Sequence, residues 1–362
     1  MFPRRVVLTR TNSRLVLQTQ LRKFASKNLS PLAPGINKGM RYTAIAGVVA
    51  TPWNDGNQWM TWAVFDGHAG QVKSALPGGS VPDEVIRHAI TTAFVNLDDS
   101  IINTVLDTAQ SKELLQDKIK KLAPVHAGSC ALLSLYDPVT SNLHVACTGN
   151  SRAVLGQMWT NGKWEAIPLS VDQTGSNKEE IARLNKEHPG EENIIKNGRV
   201  LGMVLDAVRK FYGIPPLTPT DDFRTPPYLT AEPVVTTTEI DPSKQTFLIM
   251  ATDGLWDMLS SQQAVDLVGQ WVDSRVPGDS NSKREAIYEP FDFGQFWKGV
   301  NWKFVRSRTT NQDDNAAVHL TRNCLGGNHF ELIAGRLAFS PPFSRRVRDD
   351  ITVQVAFFNS NI

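Results

Sequence analysis

An α+β body built on a mainly antiparallel sheet is the fold class this sequence predicts, on three observations. Short apolar runs come in groups joined by tight-turn residues, and helical stretches lie between the groups rather than after every strand. The composition is that of a packed chain: 41% of the 362 residues are hydrophobic and 20% charged, enough apolar surface to offset chain entropy over most of the length. No internal repeat is visible, which removes solenoids and propellers.

The elements follow in chain order. Trp62-Ala63-Val64-Phe65 reads as a short buried strand, and Ala89 to Val105 as a helix carrying Ile90, Phe94, Leu97 and Ile101 at helical spacing. Ala131–Leu135, Leu143–Thr148 and Ala153–Gln157 read as a meander with turns at Asp137-Pro138 and Gly149-Asn150. Lys178 to Glu187 is a predicted helix. Thr246 to Thr252 is a predicted buried strand, followed by a helix from Ser261 to Val272. Ala316 to Leu325 reads as a helix whose start is made favourable by Asp313 and Asp314. The segment from Arg275 to Phe296, with Pro277, Gly278, Pro290 and Gly294, reads as a surface insertion, and Ile351 to Phe358 as a closing strand. A body of this size fits either one domain with insertions or two domains.

Charge is distributed unevenly. The first 54 residues hold nine basic side chains and no acid, whereas the remainder carries 29 basic and 36 acidic ones. A mildly acidic body argues against nucleic acid as a partner. Residues 1–27 are Arg-rich, contain Ser and Thr, and place Leu17, Leu21 and Phe24 at helical spacing, the marks of a mitochondrial transit peptide, with a protease-like site at Arg22-Lys23-Phe24-Ala25-Ser26. A positive segment of this kind is pulled by an inside-negative membrane potential, so the expected location is the mitochondrial matrix. A basic tail that touches nothing is the alternative. Residues 28–40, with Pro31, Pro34 and Gly35, read as a linker. No apolar run approaches the roughly 18 residues of a membrane span, so no membrane span is expected. Cys130, Cys147 and Cys324 are too scattered for a disulfide framework or a zinc site and suit a reducing compartment.

Three places share one design, an apolar strand next to an Asp: Trp62 to Phe65 before Asp66-Gly67-His68, Phe247 to Thr252 before Asp253-Gly254, and Asp349-Asp350 before Ile351-Thr352-Val353. A carboxylate at a sheet rim is held rigidly yet can face solvent. Several converging rims would form an oxygen-only site suited to Mg²⁺ or Mn²⁺. A single Asp-Gly is more often a turn than a ligand, so the inference rests on the set.

Phe65 to Gly70, Thr148 to Leu155, Ala251 to Asp257 and Asp349 to Val353 resemble, in order, the signature blocks of the metal-dependent type 2C protein Ser/Thr phosphatases. Leu169 to Gly175, Glu187 to Gly190, Pro226 to Pro233 and Ser344 to Asp350 are similar to the mitochondrial pyruvate dehydrogenase phosphatase kind. The resemblance implies a sandwich of two antiparallel sheets flanked by helices, occupying residues 41–362 with an insertion at about 275–310. It also implies two Mg²⁺ or Mn²⁺ ions. Asp66 would bridge both, the Gly67 carbonyl would bind one, Asp253 and Asp349 would complete the first, and Asp257 would help hold an accessory ion. A metal-activated water would attack the phosphomonoester, and His68 would protonate the leaving Ser or Thr oxygen. The implied partner is a phosphoprotein, with phosphoserine on pyruvate dehydrogenase E1 as the specific expectation.

The chain departs from the family pattern at several points. Gly39 to Ala46 stands where a Glu-Asp pair is expected, and Arg41 lies about where a ligand anion should be. Asn150 replaces the usual Asp before Ser151-Arg152-Ala153. Met203 to Val208 keeps only Asp206 of a longer block, and the helix following His68 is short, with Gln71 to Leu76 running into Pro77-Gly78-Gly79. A catalytically impaired pseudo-phosphatase serving as a binding module is therefore the rival reading. A serine hydrolase is the weaker one, since Gly149-Asn150-Ser151-Arg152-Ala153 misses the nucleophile elbow by its last glycine and precedes a predicted strand.

Overall fold

The computed structural model describes residues 60–67, 81–122, 129–191, 194–200, 225, 227–275, 304–339, 344 and 347–358. All of them belong to one compact unit, Thr43–Ile362. The predicted transit peptide, the linker, Arg41 and its neighbours, His68, Gln71 to Leu76, Met203 to Val208 and most of the insertion (276–303) lie outside the described residues.

In chain order the elements are β1 (Met60–Gly67), α1 (Asp83–Gln110), α2 (Leu115–Leu122), β2 (Ser129–Asp137), β3 (Asn142–Thr148), β4 (Arg152–Met158), β5 (Trp164–Pro168), α3 (Lys178–Glu187), the small hairpin β6 (Ile195–Lys196) and β7 (Arg199–Val200), β8 (Val234–Glu239), β9 (Thr246–Ala251), α4 (Asp253–Trp256), α5 (Ser261–Asp273), α6 (Ala316–Leu325), α7 (Phe330–Ala338) and β10 (Val353–Phe358). Two four-stranded sheets result, β1-β2-β3-β8 and β10-β9-β4-β5, with every neighbouring pair antiparallel. The fold is α+β, as the grouping of apolar runs predicts.

Period-two alternation explains how the layers stack. One face of each sheet points to the other: Trp62, Val64, Leu132, Leu143, Val145 and Cys147 from the first pack with Ala153, Leu155, Leu248, Met250, Ala356 and Phe358 from the second. The opposite face of the first sheet carries Leu135, Ala146 and Val235, which cover Ile86, Ile90 and Phe94 of α1. The opposite face of the second carries Val154, Phe247, Ile249 and Val355, which meet Val265, Val268 and Trp271 of α5 and Leu320 of α6. Both faces of β9 are thereby covered, and all six of its residues are buried. That is why β9 reads as an uninterrupted apolar run rather than as alternation.

The meander expectation fails at its last step. β2 and β3 pair as expected, but β4 leaves them and enters the second sheet beside β9. The turn at Gly149-Asn150 is a sheet-to-sheet crossing, a difference that strand spacing alone does not encode. Gly149 makes the crossing possible: its φ is +107°, and a Cβ there would lie 2.3 Å from Cys130 Sγ.

Element ends differ in the usual way. β1 runs on through Asp66 and Gly67, and α1 is longer at both ends than its apolar spacing suggests. α3, α5 and α6 start where predicted. Asn177 caps α3, accepting from the Glu179 and Glu180 N–H groups, and Ser260 with Gln263 forms a capping box on α5. At α6 the acidic-start expectation is corrected. Asn315 is the cap, accepting from Ala317 and Val318, while Asp313 turns away to take both oxygens to Arg322 Nε at 2.8–2.9 Å.

Candidate active site

At one end of the sandwich the three predicted rims are tied together by strand pairing and short hydrogen-bonded links. β1 ends on Asp66 and Gly67, whose Cα atoms face Cys130 and Ser129 of β2. The Cys130 thiol donates to Asn150 Oδ1 at 3.1 Å, and Asn150 Nδ2 donates to Asp253 Oδ2 at 2.6 Å. Asp253 opens α4 immediately after β9, and the Asp257 N–H donates to its carbonyl at 2.8 Å. The rim of β1 and the rim of β9 are therefore joined through two intervening residues, Cys130 by strand pairing with Asp66 and Asn150 by its amide, although Asp66 and Asp253 lie in different sheets.

The third rim is tied to the second. Thr252 is fully buried; its hydroxyl donates to the Asp350 carbonyl at 2.9 Å and accepts from the Thr352 N–H at 3.0 Å, and its own N–H reaches the Thr352 carbonyl at 3.1 Å. Gly254 is required by closeness rather than by turn geometry. A Cβ there would sit 2.5 Å from the Asp350 carbonyl oxygen, so only glycine lets the two Asp-bearing segments touch. Asp349 Oδ1 accepts from the Asp350 N–H at 2.8 Å, which fixes its carboxylate on a half-exposed loop beside that contact.

Arg152, at the start of β4, organises the floor. Its guanidinium makes a two-pronged bond to Asp172, Nε to Oδ1 at 2.8 Å and Nη2 to Oδ2 at 2.6 Å, and lies 5.1 Å over the Trp256 ring. The bond to Asp172 raises its pKa; burial opposes that, and the charges of Asp172 and Asp257 reinforce it. Asp257 thus faces a fixed cation rather than open solvent alone. Gln173 N–H reaches the Gly149 carbonyl at 2.7 Å, so the Asp172 loop is locked to the crossing that carries Asn150.

Asp253 and Asp349 thus lie on segments locked to each other, and Asp253 is linked through Asn150 to Cys130, the strand partner of Asp66, whereas the Asp66 side chain and His68 lie outside the described residues. Among the described residues no three His, Cys, Asp or Glu side chains form a metal-holding group. The donors that are described, carboxylates and a strand-end carbonyl, are all oxygen, and such a set fits Mg²⁺ or Mn²⁺ better than a soft ion.

The serine-hydrolase reading fails on geometry. Ser151 is fully buried and a strand, not a helix, follows it. Sequence reasoning missed three contributors. Cys130 looks like one of three scattered thiols, Thr252 looks like the last residue of an apolar strand, and the pairing of Arg152 with Asp172 spans 20 residues. The only hint was that both members of that pair fall within family-like blocks.

Comparison with known proteins places this geometry in a family. The family described as Protein phosphatase 2C matches residues 37–294. A protein phosphatase 2C homolog of Schizosaccharomyces pombe is 37% identical over 346 residues, covering 84% of this chain and 74% of that protein. The mitochondrial [pyruvate dehydrogenase [acetyl-transferring]]-phosphatase 1 of Saccharomyces cerevisiae is 34% identical, covering 83% and 62%, and its Homo sapiens counterpart 31% identical, covering 79% and 57%. The chain thus spans about three fifths of those two phosphatases. With a family match over more than half its length, and the two-sheet sandwich and Asp-bearing rims in place, the chain belongs to the protein phosphatase 2C family of protein serine/threonine phosphatases.

Proposed function

We propose that the chain is a Mg²⁺- or Mn²⁺-dependent phosphatase of the mitochondrial matrix that removes phosphate from phosphoserine on pyruvate dehydrogenase E1. The observation that carries the reaction class is the locking of the Asp253 and Asp349 rims through Thr252 and Gly254, with Asp253 linked through Asn150 to Cys130, the strand partner of Asp66. The compartment and substrate draw support from the acid-free, arginine-rich first 54 residues and from the names of the S. cerevisiae and H. sapiens relatives. In domain terms, residues 1–27 are the transit peptide, 28–40 a linker and 41–362 the phosphatase body.

In this reading Asp66, the Gly67 carbonyl, Asp253 and Asp349 hold the divalent ions, with Asp257 contributing beside Arg152. When bound, the ions supply positive charge against the phosphoryl oxygens and make a water a better nucleophile. His68 gives its proton to the departing Ser or Thr oxygen, which needs an imidazole within hydrogen-bond reach of that oxygen. Arg152 and Asp172 keep the floor rigid, so the carboxylates need no reorganisation as charge develops.

A second reading has a specific observation behind it. Arg41 occupies the place of an expected ligand acid, which favours a binding module with weak or no turnover. One assay separates the two. Residues 25–362 are tested for phosphate release from p-nitrophenyl phosphate and from a phosphoserine peptide of E1, with Mn²⁺, Mg²⁺ or EDTA, beside Asp253→Ala. Metal-dependent release that the variant loses supports the phosphatase. A folded protein with no release above the variant overturns it in favour of the binding module, and release from p-nitrophenyl phosphate but not from the E1 peptide overturns the substrate alone.

A further inference from the structure

The strongest feature not used by the family reading is a three-member link across the mouth of the sandwich. Cys130 belongs to the first sheet, Asp253 follows the central strand of the second, and Asn150 sits on the crossing between them. Asn150 uses both ends of its amide, accepting from the Cys130 thiol at 3.1 Å and donating to Asp253 Oδ2 at 2.6 Å. That orientation is the one the chemistry requires, because a carboxylate only accepts and a thiol donates. Gly149, at φ +107° and with no room for a Cβ beside Cys130, lets the chain pass against that residue, and the Gln173 N–H holds the Gly149 carbonyl at 2.7 Å. Cys130 in turn lies opposite Asp66 in the β1–β2 register.

We infer that Asn150 is a positioning residue: it clasps Asp253 to Cys130 and so sets the separation between the Asp66 rim and the Asp253 rim at which a divalent cation is held. The inference rests on the reading of Asp66 and Asp253 as metal ligands. A neutral amide suits the task. It orients one oxygen of Asp253 while leaving the carboxylate's negative charge in place for the cation, where a lysine would cancel it and the family's usual aspartate would repel it unless a cation lay between the two.

The test uses the full chain and Mn²⁺ alone, with free Mn²⁺ followed by electron paramagnetic resonance and the unfolding midpoint measured with and without Mn²⁺. Asn150→Ala should weaken Mn²⁺ binding by about tenfold, the scale on which residues orienting a ligand act, with a smaller effect on the metal-free midpoint. Asn150→Asp puts a second carboxylate within hydrogen-bond distance of Asp253. It should lower the metal-free midpoint and show a larger Mn²⁺-induced rise than the parent. Cys130→Ser, whose hydroxyl can still donate to Asn150, should bind Mn²⁺ nearly as the parent does, and Cys130→Ala should bind it less tightly. A purely structural turn residue would shift the midpoint equally with and without Mn²⁺ and leave affinity unchanged, and that result overturns the inference. Asp253→Ala separates the two levels. If it leaves Mn²⁺ binding intact, the ligand reading itself is wrong, whereas if it abolishes binding while Asn150→Ala does not weaken it, only the clasp is wrong.

Discussion

Gly254→Ala isolates how close the two acidic segments must approach. The added Cβ would lie 2.5 Å from the Asp350 carbonyl oxygen, 3.0 Å from its carbon and 3.1 Å from Ile351 Cγ1. Two of those three neighbours are backbone, so rotamer changes cannot absorb the clash. The segments must part by roughly 1 Å to regain van der Waals contact. Parting them stretches the Thr252–Asp350 hydrogen bond, now 2.9 Å, and moves Asp349 away from Asp253. Overpacking of this kind costs about 1–3 kcal/mol, and a displacement of about 1 Å at a reacting centre costs on the order of 100-fold in rate. Thermal unfolding and Mn²⁺-dependent phosphatase kinetics on purified protein give both numbers. Adding Ile351→Val should not restore either, because the carbonyl contact remains. If Gly254→Ala leaves kcat within about threefold and the midpoint within about 1 °C of the parent, the close-approach argument is wrong, since both fall well below the expected effects.

Arg152→Lys removes a planar fork that an ammonium cannot reproduce, so it should destabilise the protein by about 2 kcal/mol and lower kcat more than KM, as read by denaturant titration and steady-state kinetics. Burial holds the imidazoles of His144 and His319 below the ordinary 6.5; for His144, Asp83 and Asp137 oppose the shift and Arg87 adds to it, and for His319, Asp313 and the Leu267 and Thr310 backbone oppose and Arg275 adds. As pH falls below 6.5 the unfolded chain takes up protons that the native state refuses, so stability should decline toward the lower native pKa values. His144→Gln should flatten the urea-midpoint profile by up to one proton, about 1.4 kcal/mol per pH unit. Finally, Arg41→Glu with Tyr42→Asp restores the acidic pair the family expects, and should raise Mn²⁺-dependent turnover; unchanged turnover would place any impairment elsewhere.

Much of the fold was legible because its strongest signals are local. Phe247–Ala251 is apolar throughout since helices cover one face and the other sheet the opposite one, and α3 and α5 start beside the capping residues Asn177 and Ser260. What could not be read were long-range choices. The departure of β4 from β3 depends on Gly149 passing Cys130, and β8 has too few apolar residues in alternation to stand out, being an edge strand with Val234 and Glu239 exposed. The site divides the same way. Asp253 and Asp349 were visible from strand-end position, whereas the Asn150 clasp and the Thr252 lock link residues about 100 positions apart.

The bond from Gln354 Nε2 to the Ala63 carbonyl joins residues 291 positions apart. During synthesis at about 5–20 residues per second, β1 leaves the ribosome roughly 15–60 s before β10 does. Throughout that interval Trp62 and Val64 lack Ala356 and Phe358 as packing partners, and the Asp349 rim does not yet exist. Until β10 arrives, the nascent chain carries a second sheet short of its edge strand and the inner residues of β1 partly uncovered, for far longer than a helix or hairpin needs to form. The Asp349 rim and the closing strand arrive only with residues 349–358, so the uncovered inner face of β1 is an aggregation hazard until then.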